Sequence, residues 1–311
     1  MVAAEDCRTA GRAFGGPTRW RAVAGGQSMM LRVIVQESVG AGAVNEDRAG
    51  SCAQAAWVID GASGVMASQI DALSDAAWFA AEADRGLQQA FRIMPSSSTR
   101  DILRWVMARC REAALHHLGT NSVSANDLPS AAFAMVRVSQ GRAEFTTLGD
   151  CRILYHAPGG PAALFGETAL SAIEARTIAL AREILTAQPD IAPALLREKL
   201  LPQLRENRRR MNQPGGYWIM GCDPDAADHV DSMTVEGDRL DCAIASDGFL
   251  RLIDTFECCD PSDLMDVTTP QAFAAMIARL RMLEHSPGSM LDYPRVKVSD
   301  DASFIRLTLS M

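Results

Sequence analysis

The stretch Ala55-Ala56-Trp57-Val58-Ile59-Asp60-Gly61-Ala62-Ser63-Gly64 joins an apolar run to an acidic residue and a glycine-containing turn. A short apolar run bounded by turn residues is typical of a buried strand, and we predict this strand over 52–60. Asp60 then ends the strand, and Gly61 beside it lets the backbone approach a ligand closely. A second apolar run, Cys242-Ala243-Ile244-Ala245, leads to Asp247-Gly248 in the same way.

Further acidic residues lie at the ends of other predicted strands. Asp150 lies between two of them, Asp300 and Asp301 precede the last one, and Glu46 and Asp47 lie in the turn before the first apolar run. A single Asp-Gly is more often only a turn. Because acidic sites recur at strand ends, we expect the carboxylates to converge at one edge of a sheet or sandwich. Their mutual repulsion favours a bound divalent cation, and oxygen ligands favour Mg²⁺ or Mn²⁺ over zinc.

The order of the predicted elements indicates an α+β layered domain rather than a βαβαβ array. We predict helices over about 66–91, 100–118, 170–187, 191–209 and 271–284. We predict the other strands over 31–36, 131–138, 143–148, 152–156, 231–235, 240–245 and 303–309. The link Ser139-Gln140-Gly141-Arg142 predicts a hairpin between two of these strands.

Composition excludes several classes of function. Apolar residues make up 48% of the chain and charged residues 22%, which is ordinary for a globular protein. A net charge of −8 provides no basic field for nucleic acid or an anionic membrane. No apolar run approaches the length of a membrane span, because acids or arginines interrupt every candidate. The eight cysteines form no CxxC pair, and the first thirty residues hold no secretory signal. We therefore expect a cytoplasmic protein with reduced cysteines.

Domain organisation follows from where the pattern begins. Residues 1–30 precede the first patterned strand and contain Met29-Met30, so they are either a flexible tail or lie before the true start of the protein. Residues 31–311 contain no linker long enough to require a second domain. We expect a single domain there.

The acidic motifs resemble, in order and in setting, those of the metal-dependent protein phosphatases (the PPM family, protein phosphatase 2C type), with the bacterial members most similar. The matching motifs are Asn45-Glu46-Asp47, Asp60-Gly61-Ala62-Ser63-Gly64, Gly149-Asp150-Cys151-Arg152, Ser246-Asp247-Gly248 and Asp300-Asp301-Ala302-Ser303. The resemblance implies a four-layer α/β/β/α sandwich of two antiparallel sheets flanked by helix pairs, formed by residues 31–311. It places a variable flap or insert near residues 158–231.

The resemblance also implies a site for two Mn²⁺ or Mg²⁺ ions. In it Asp60 bridges the two metals, Asp247 and Asp300 hold the first, and the Gly61 carbonyl holds the second. Glu46 and Asp47 act through metal-bound waters, and Asp150 helps to bind a third, weaker ion. Two cations generate a hydroxide at neutral pH that attacks phosphorus directly. The implied activity is a phosphoserine and phosphothreonine protein phosphatase whose partners are phosphorylated proteins and an opposing serine/threonine kinase.

Two positions depart from the family pattern. Many members carry an Arg that binds the substrate phosphate where this chain has Gly42, and some carry a His where it has Ala62. Losing a bidentate guanidinium weakens phosphate binding more than it slows hydroxide attack. Gly42 favours one alternative, a catalytically weak phosphatase-like module that binds a regulatory partner. A phosphatase of small phosphorylated metabolites is the other alternative, because substrate choice depends on the flap and on surface shape.

Overall fold

The computed structural model describes residues 29–62, 70–119, 123–156, 160–166 and 170–311. Its strands are β1 (Met30–Val39), β2 (Asp47–Ser51), β3 (Ala55–Gly61), β4 (Ser130–Ser139), β5 (Arg142–Leu148), β6 (Arg152–His156), β7 (Ala162–Phe165), β8 (Met220–Gly221), β9 (Asp231–Val235), β10 (Arg239–Ala245) and β11 (Ala302–Ser310). Its helices are α1 (Asp75–Ile93), α2 (Thr99–Leu118), α3 (Leu170–Ala187), α4 (Pro193–Arg209), α5 (Asp247–Asp254), α6 (Pro261–Met265), α7 (Pro270–Glu284) and α8 (Ser289–Asp292).

These strands form two antiparallel sheets. One sheet has the strand order β1-β11-β10-β6-β7, and the other has the order β2-β3-β4-β5-β9 with β8 paired to β4. The chain crosses from the second sheet to the first at Asp150, in the short link between β5 and β6. This link therefore lies where the ends of both sheets meet.

The alternation of side chains along β3 shows how the layers are built. Trp57 and Ile59 pack with α1 and α2 in one apolar cluster, whereas Ala56 and Val58 pack between the two sheets in a second cluster. On the far side, Ala243 packs with α5, α6 and α7 in a third cluster. Because both faces of the central strands are buried, they are apolar at nearly every position. The four-layer α/β/β/α fold class expected from the sequence is confirmed.

Several element bounds differ from those predicted. The strand predicted from Cys52 begins at Ala55, so Cys52 lies before it, and Asp47 is the first residue of β2 rather than part of a turn. Asp247 begins helix α5 instead of a simple turn. The predicted hairpin is confirmed: Ser139 pairs with Arg142, and Gln140 and Gly141 both adopt positive φ.

Some sequence predictions lie outside the described residues. Ser63, Gly64, the start of the first predicted helix and part of the 158–231 segment are among them. The described part of that segment contains α3 and α4, which pack on each other through their own small apolar cluster. No helix among the described residues has the length and apolar character needed to cross a membrane.

Candidate active site

Sheet register brings the acidic strand ends to one edge of the sandwich. Asp47 lies directly opposite Asp60 across the β2–β3 pair. In the other sheet, Ala245 pairs with both Arg152 and Phe304, so Asp150, Asp247 and Asp300 all lie just beyond the same end of the three central strands. The convergence that we expected from the sequence thus follows from strand pairing.

Glycines make this close arrangement sterically feasible. A Cβ atom on Gly61 would lie 2.6 Å from the Glu46 carbonyl oxygen, to which the Gly61 amide donates a hydrogen bond of 3.2 Å. A Cβ atom on Gly248 would lie only 1.9 Å from the Asp301 carbonyl oxygen. The Asp-Gly pairs therefore let neighbouring segments of the site contact each other through their backbones.

A cleft of about 1010 Å³ opens above this edge, and its floor is acidic. It is lined by five of the seven residues that the sequence singled out: Asp60, Gly61, Asp150, Asp247 and Asp300. The other two lie elsewhere. Glu46 lines a smaller adjoining pocket of about 370 Å³, and Asp47 is buried beneath the cleft floor with 1% of its surface exposed.

Burial and mutual repulsion favour the protonated form of several of these carboxyl groups. Burial, followed by the charges of Asp47 and Asp247, raises the pKa of Asp60 well above its ordinary value. Burial also raises the pKa of Asp47 to about 7, although the nearby hydroxyls of Ser246 and Ser303 act to lower it. Burial, with Asp247 next, raises the pKa of Asp150. Neighbouring protein groups therefore do not neutralise these carboxylates when they are ionised.

Asp300 differs from the other carboxylates because two cations neutralise it. Lys297 Nζ donates to its Oδ1 at 2.9 Å, and Arg251 Nη2 donates to its Oδ2 at 2.8 Å. Burial acts to raise the pKa of Asp300, but the attraction of Lys297 and then Arg251 outweighs burial and lowers it. The same contacts, with help from Asp60, raise the pKa of Lys297 against its own burial. Both charges of this pair persist at neutral pH.

A buried ion-pair network holds Asp300 in place. Arg251 Nη1 donates to Glu284 Oε1 at 2.9 Å, and Arg281 Nη1 donates to Glu284 Oε2 at 2.6 Å. Arg281 then reaches the Asp300 carbonyl oxygen through Nη2 at 2.7 Å. The Glu284 side chain is fully buried, so it holds the guanidinium groups of Arg251 and Arg281 in fixed positions. Asp300 is consequently positioned at its side chain and its backbone at the same time.

Asp301 anchors the loop that carries Glu46. Its carboxylate accepts hydrogen bonds from the amides of Ala41 at 2.7 Å and of Glu46 at 2.6 Å. The Glu46 carboxylate in turn accepts from the hydroxyl of Ser74, the residue that caps helix α1. This loop passes through Gly42, and nothing lies within 4 Å of where a Cβ atom on Gly42 would be.

Sequence reasoning missed three charged residues of the site, namely Glu174, Arg251 and Lys297. Glu174 extends from α3 into the cleft, where partial desolvation, then the charges of Asp247 and Asp300, raise its pKa to about 7. Arg251 lies one turn after Asp247 on α5, and Lys297 lies three residues before Asp300. The spacing of Arg251 and Lys297 from the two aspartates is a signal that could have identified them. Glu174 has no such signal, since α3 brings it to the cleft from a distant part of the chain.

The donor set fits a hard divalent cation. Both carboxylate oxygens of Asp47 are buried and lack a hydrogen-bond partner of normal geometry among the described residues, a costly arrangement that nearby positive charge relieves. The side chains that line the acidic floor offer oxygen ligands only, as Mg²⁺ and Mn²⁺ prefer. Within the described ranges, no three His, Cys, Asp or Glu side chains already form a group that could hold a metal.

Structure comparison shows the same fold in solved bacterial phosphatases. The catalytic domain of the serine/threonine protein phosphatase PstP, in complex with two manganese ions, aligns with a TM-score of 0.51 and 12% identity, over 91% of this chain and 100% of that one. The serine/threonine phosphatase PstP/Ppp of Mycobacterium tuberculosis aligns with a TM-score of 0.52 and 13% identity, over 91% of this chain and 100% of that one. A bacterial serine phosphatase aligns with a TM-score of 0.51 and 12% identity, over 90% of this chain and 97% of that one. No protein-family model matches the sequence, and the search of curated proteins also gives no match. At these identities the comparison shows that the chain has the fold of these phosphatases.

Proposed function

We propose that this chain is a metal-dependent phosphomonoester hydrolase of the protein phosphatase 2C type, acting on phosphoserine and phosphothreonine in proteins. One observation carries the proposal: in a fold shared with serine/threonine phosphatases, carboxylates from four separate segments line one cleft. Those segments supply Asp60, Asp150, Asp247 and Asp300. Without a bound cation, desolvation and mutual repulsion of so many half-buried carboxylates in one cleft lower the stability of the protein.

The carboxylates divide naturally between two cation positions. The charge of Asp60 interacts with those of the other acidic residues, so Asp60 would contact both ions. Asp247 and Asp300 would hold the first ion, and the Gly61 carbonyl would hold the second. Glu46 and Asp47 lie outside the cleft lining, which suits contact through water. Asp150 faces the cleft from the β5–β6 link and is assigned to a third, weaker ion.

Bound Mn²⁺ or Mg²⁺ supplies an activated water and neutralises the phosphoryl oxygens. The chain's own residues orient the ligands. Arg251 fixes the Asp300 carboxylate, and Arg281 fixes the Asp300 backbone. Cys151 takes no part as a nucleophile: it is fully buried, and burial raises the pKa of its thiol well above the ordinary value.

Charge on the cleft walls suits an anionic phosphorylated protein as substrate. Above the acidic floor, the cleft is lined by cationic side chains that include Arg152, Arg182 and Lys297. An opposing serine/threonine kinase is the partner that such a substrate requires. All cysteines among the described residues are free, which suits the reducing cytoplasm as the site of action.

Hydrolysis of p-nitrophenyl phosphate, measured against Mn²⁺ concentration, tests this function. We expect saturable turnover that EDTA abolishes and that falls at least a thousandfold in Asp60→Asn, a variant that removes one negative charge and preserves shape. A phosphothreonine peptide should be hydrolysed by the same protein with the same metal dependence. Metal-independent turnover, or full activity in Asp60→Asn, refutes the proposal.

A binding module is the second candidate, and Gly42 favours it. The site lacks a side chain at this position, and both oxygens of Asp300 already contact cations. A module of this kind binds Mn²⁺ and a phosphothreonine peptide without releasing phosphate. Phosphate release from that peptide, measured alongside its binding, separates the two candidates.

A further inference from the structure

We propose that Lys297 binds the phosphoryl group of the substrate. This inference rests on the proposed function, and it assigns to Lys297 the anion contact that Gly42 cannot make. The ligand class is a phosphomonoester dianion, with inorganic phosphate as its smallest representative.

Lys297 lies at the boundary between two cavities. Lys297 and Asp300 are the two residues that line both the acidic cleft and the smaller pocket beside Gly42. Among the residues lining the smaller pocket, Lys297 is the single Lys or Arg. A phosphoryl group held above the carboxylates therefore meets this ammonium where the two cavities join.

Lys297 also has unused hydrogen-bonding capacity. An ammonium has three N–H donors. Asp300 Oδ1 accepts one of them at 2.9 Å, and no other protein acceptor for this ammonium exists among the described residues. The side chain is 34% exposed and lines both cavities, so an anion there can reach the remaining donors. Arg251 has less to offer, because its guanidinium is committed to Glu284 and Asp300 and its side chain is only 11% exposed.

The contact with Asp300 also orients the ammonium. Asp300 is held by Arg251 at its side chain and by Arg281 at its backbone, so the charge that Lys297 contacts is fixed. A long side chain tethered at its tip loses less freedom when it binds an anion than a free one does. Lys297 is thus pre-positioned for a phosphate, whereas an exposed lysine is not.

The chain provides its own control. It has two lysines, and the other, Lys199, lies exposed on α4 and lines neither cavity. The test compares Lys297→Met, Lys297→Arg and Lys199→Met with the wild type. Binding of inorganic phosphate is measured by calorimetry with and without Mn²⁺, together with the affinity for Mn²⁺ and the KM and kcat for p-nitrophenyl phosphate.

We expect Lys297→Met to weaken phosphate binding and to raise KM about tenfold, the loss of one charge-assisted contact, with a smaller change in kcat. Lys297→Arg should recover most of this loss, and Lys199→Met should match the wild type. Mn²⁺ affinity should not fall in Lys297→Met, because the substitution removes a cation that competes for Asp300.

Two results overturn the inference. One is unchanged phosphate affinity and KM in Lys297→Met. The other is a loss of Mn²⁺ affinity in that variant that accounts for the whole rise in KM. Failure of the proposed function looks different: the wild type then neither binds Mn²⁺ nor turns over, and the phosphate titration without metal still decides whether Lys297 is an anion-binding residue.

Discussion

Replacing Glu284 by Gln should destabilise the protein strongly while keeping the shape of the side chain. Glu284 is fully buried and accepts hydrogen bonds from Arg251 at 2.9 Å and Arg281 at 2.6 Å. Removing one partner of a buried ion pair costs about 3–5 kcal/mol, because the remaining charges stay buried. Gln retains one carbonyl acceptor, and Asp300 still compensates Arg251, so we expect the lower limit, about 3 kcal/mol.

A surface pair of the same kind gives the matched control. Glu206 and Arg209 are also three residues apart on a helix and 2.8 Å apart, but their side chains are 58% and 72% exposed. Glu206→Gln should change stability by no more than about 0.5 kcal/mol. Urea unfolding of both variants in EDTA, followed by circular dichroism, measures the difference free of metal binding. A loss below about 1 kcal/mol in Glu284→Gln, or equal losses in the two variants, refutes the reasoning.

Substitutions at two glycines extend the test to other segments around the site. Gly248→Ala should destabilise by about 2 kcal/mol or more in urea unfolding, since its Cβ atom would lie 1.9 Å from the Asp301 carbonyl oxygen, whereas Gly42→Ala should have no measurable effect. Equal stability of the two variants contradicts this packing. Gly42→Arg should fold like the wild type, because the position is open, and should lower KM for a phosphothreonine peptide severalfold by adding a guanidinium. A KM that rises or stays the same indicates that an Arg at this position does not reach the phosphate.

The sequence predicts the central strands well because both of their faces are buried. In β3 and in the second half of β10 an unbroken apolar run precedes the acidic residue, so the run and its acidic end are visible without a structure. Strand β2, with the sequence Asp-Arg-Ala-Gly-Ser, has no such pattern. It becomes a strand through pairing with the next strand, β3, rather than through an apolar pattern of its own.

In the candidate site, too, the strand-end carboxylates can be predicted from the sequence, whereas the contacts that depend on tertiary packing cannot. Carboxylates at strand ends converge because sheets bring strand ends together, so Asp60, Asp150, Asp247 and Asp300 could be grouped from the sequence alone. The spacing of Arg251 and Lys297 makes them candidate counter-ions, but their pairing with Asp300 depends on the direction of α5 and of the segment before β11. The raised pKa of Asp47, to about 7, follows from burial in tertiary packing, which the sequence does not show.

Calorimetric titration of Mn²⁺ into the wild-type protein and Asp60→Asn tests the central claim most directly. We expect saturable binding of two ions per chain in the wild type. We expect loss of both high-affinity sites in Asp60→Asn, because this carboxylate would be shared between them. Absence of saturable Mn²⁺ binding in the wild type, or identical isotherms for the two proteins, contradicts the assignment of the acidic cleft as a metal site.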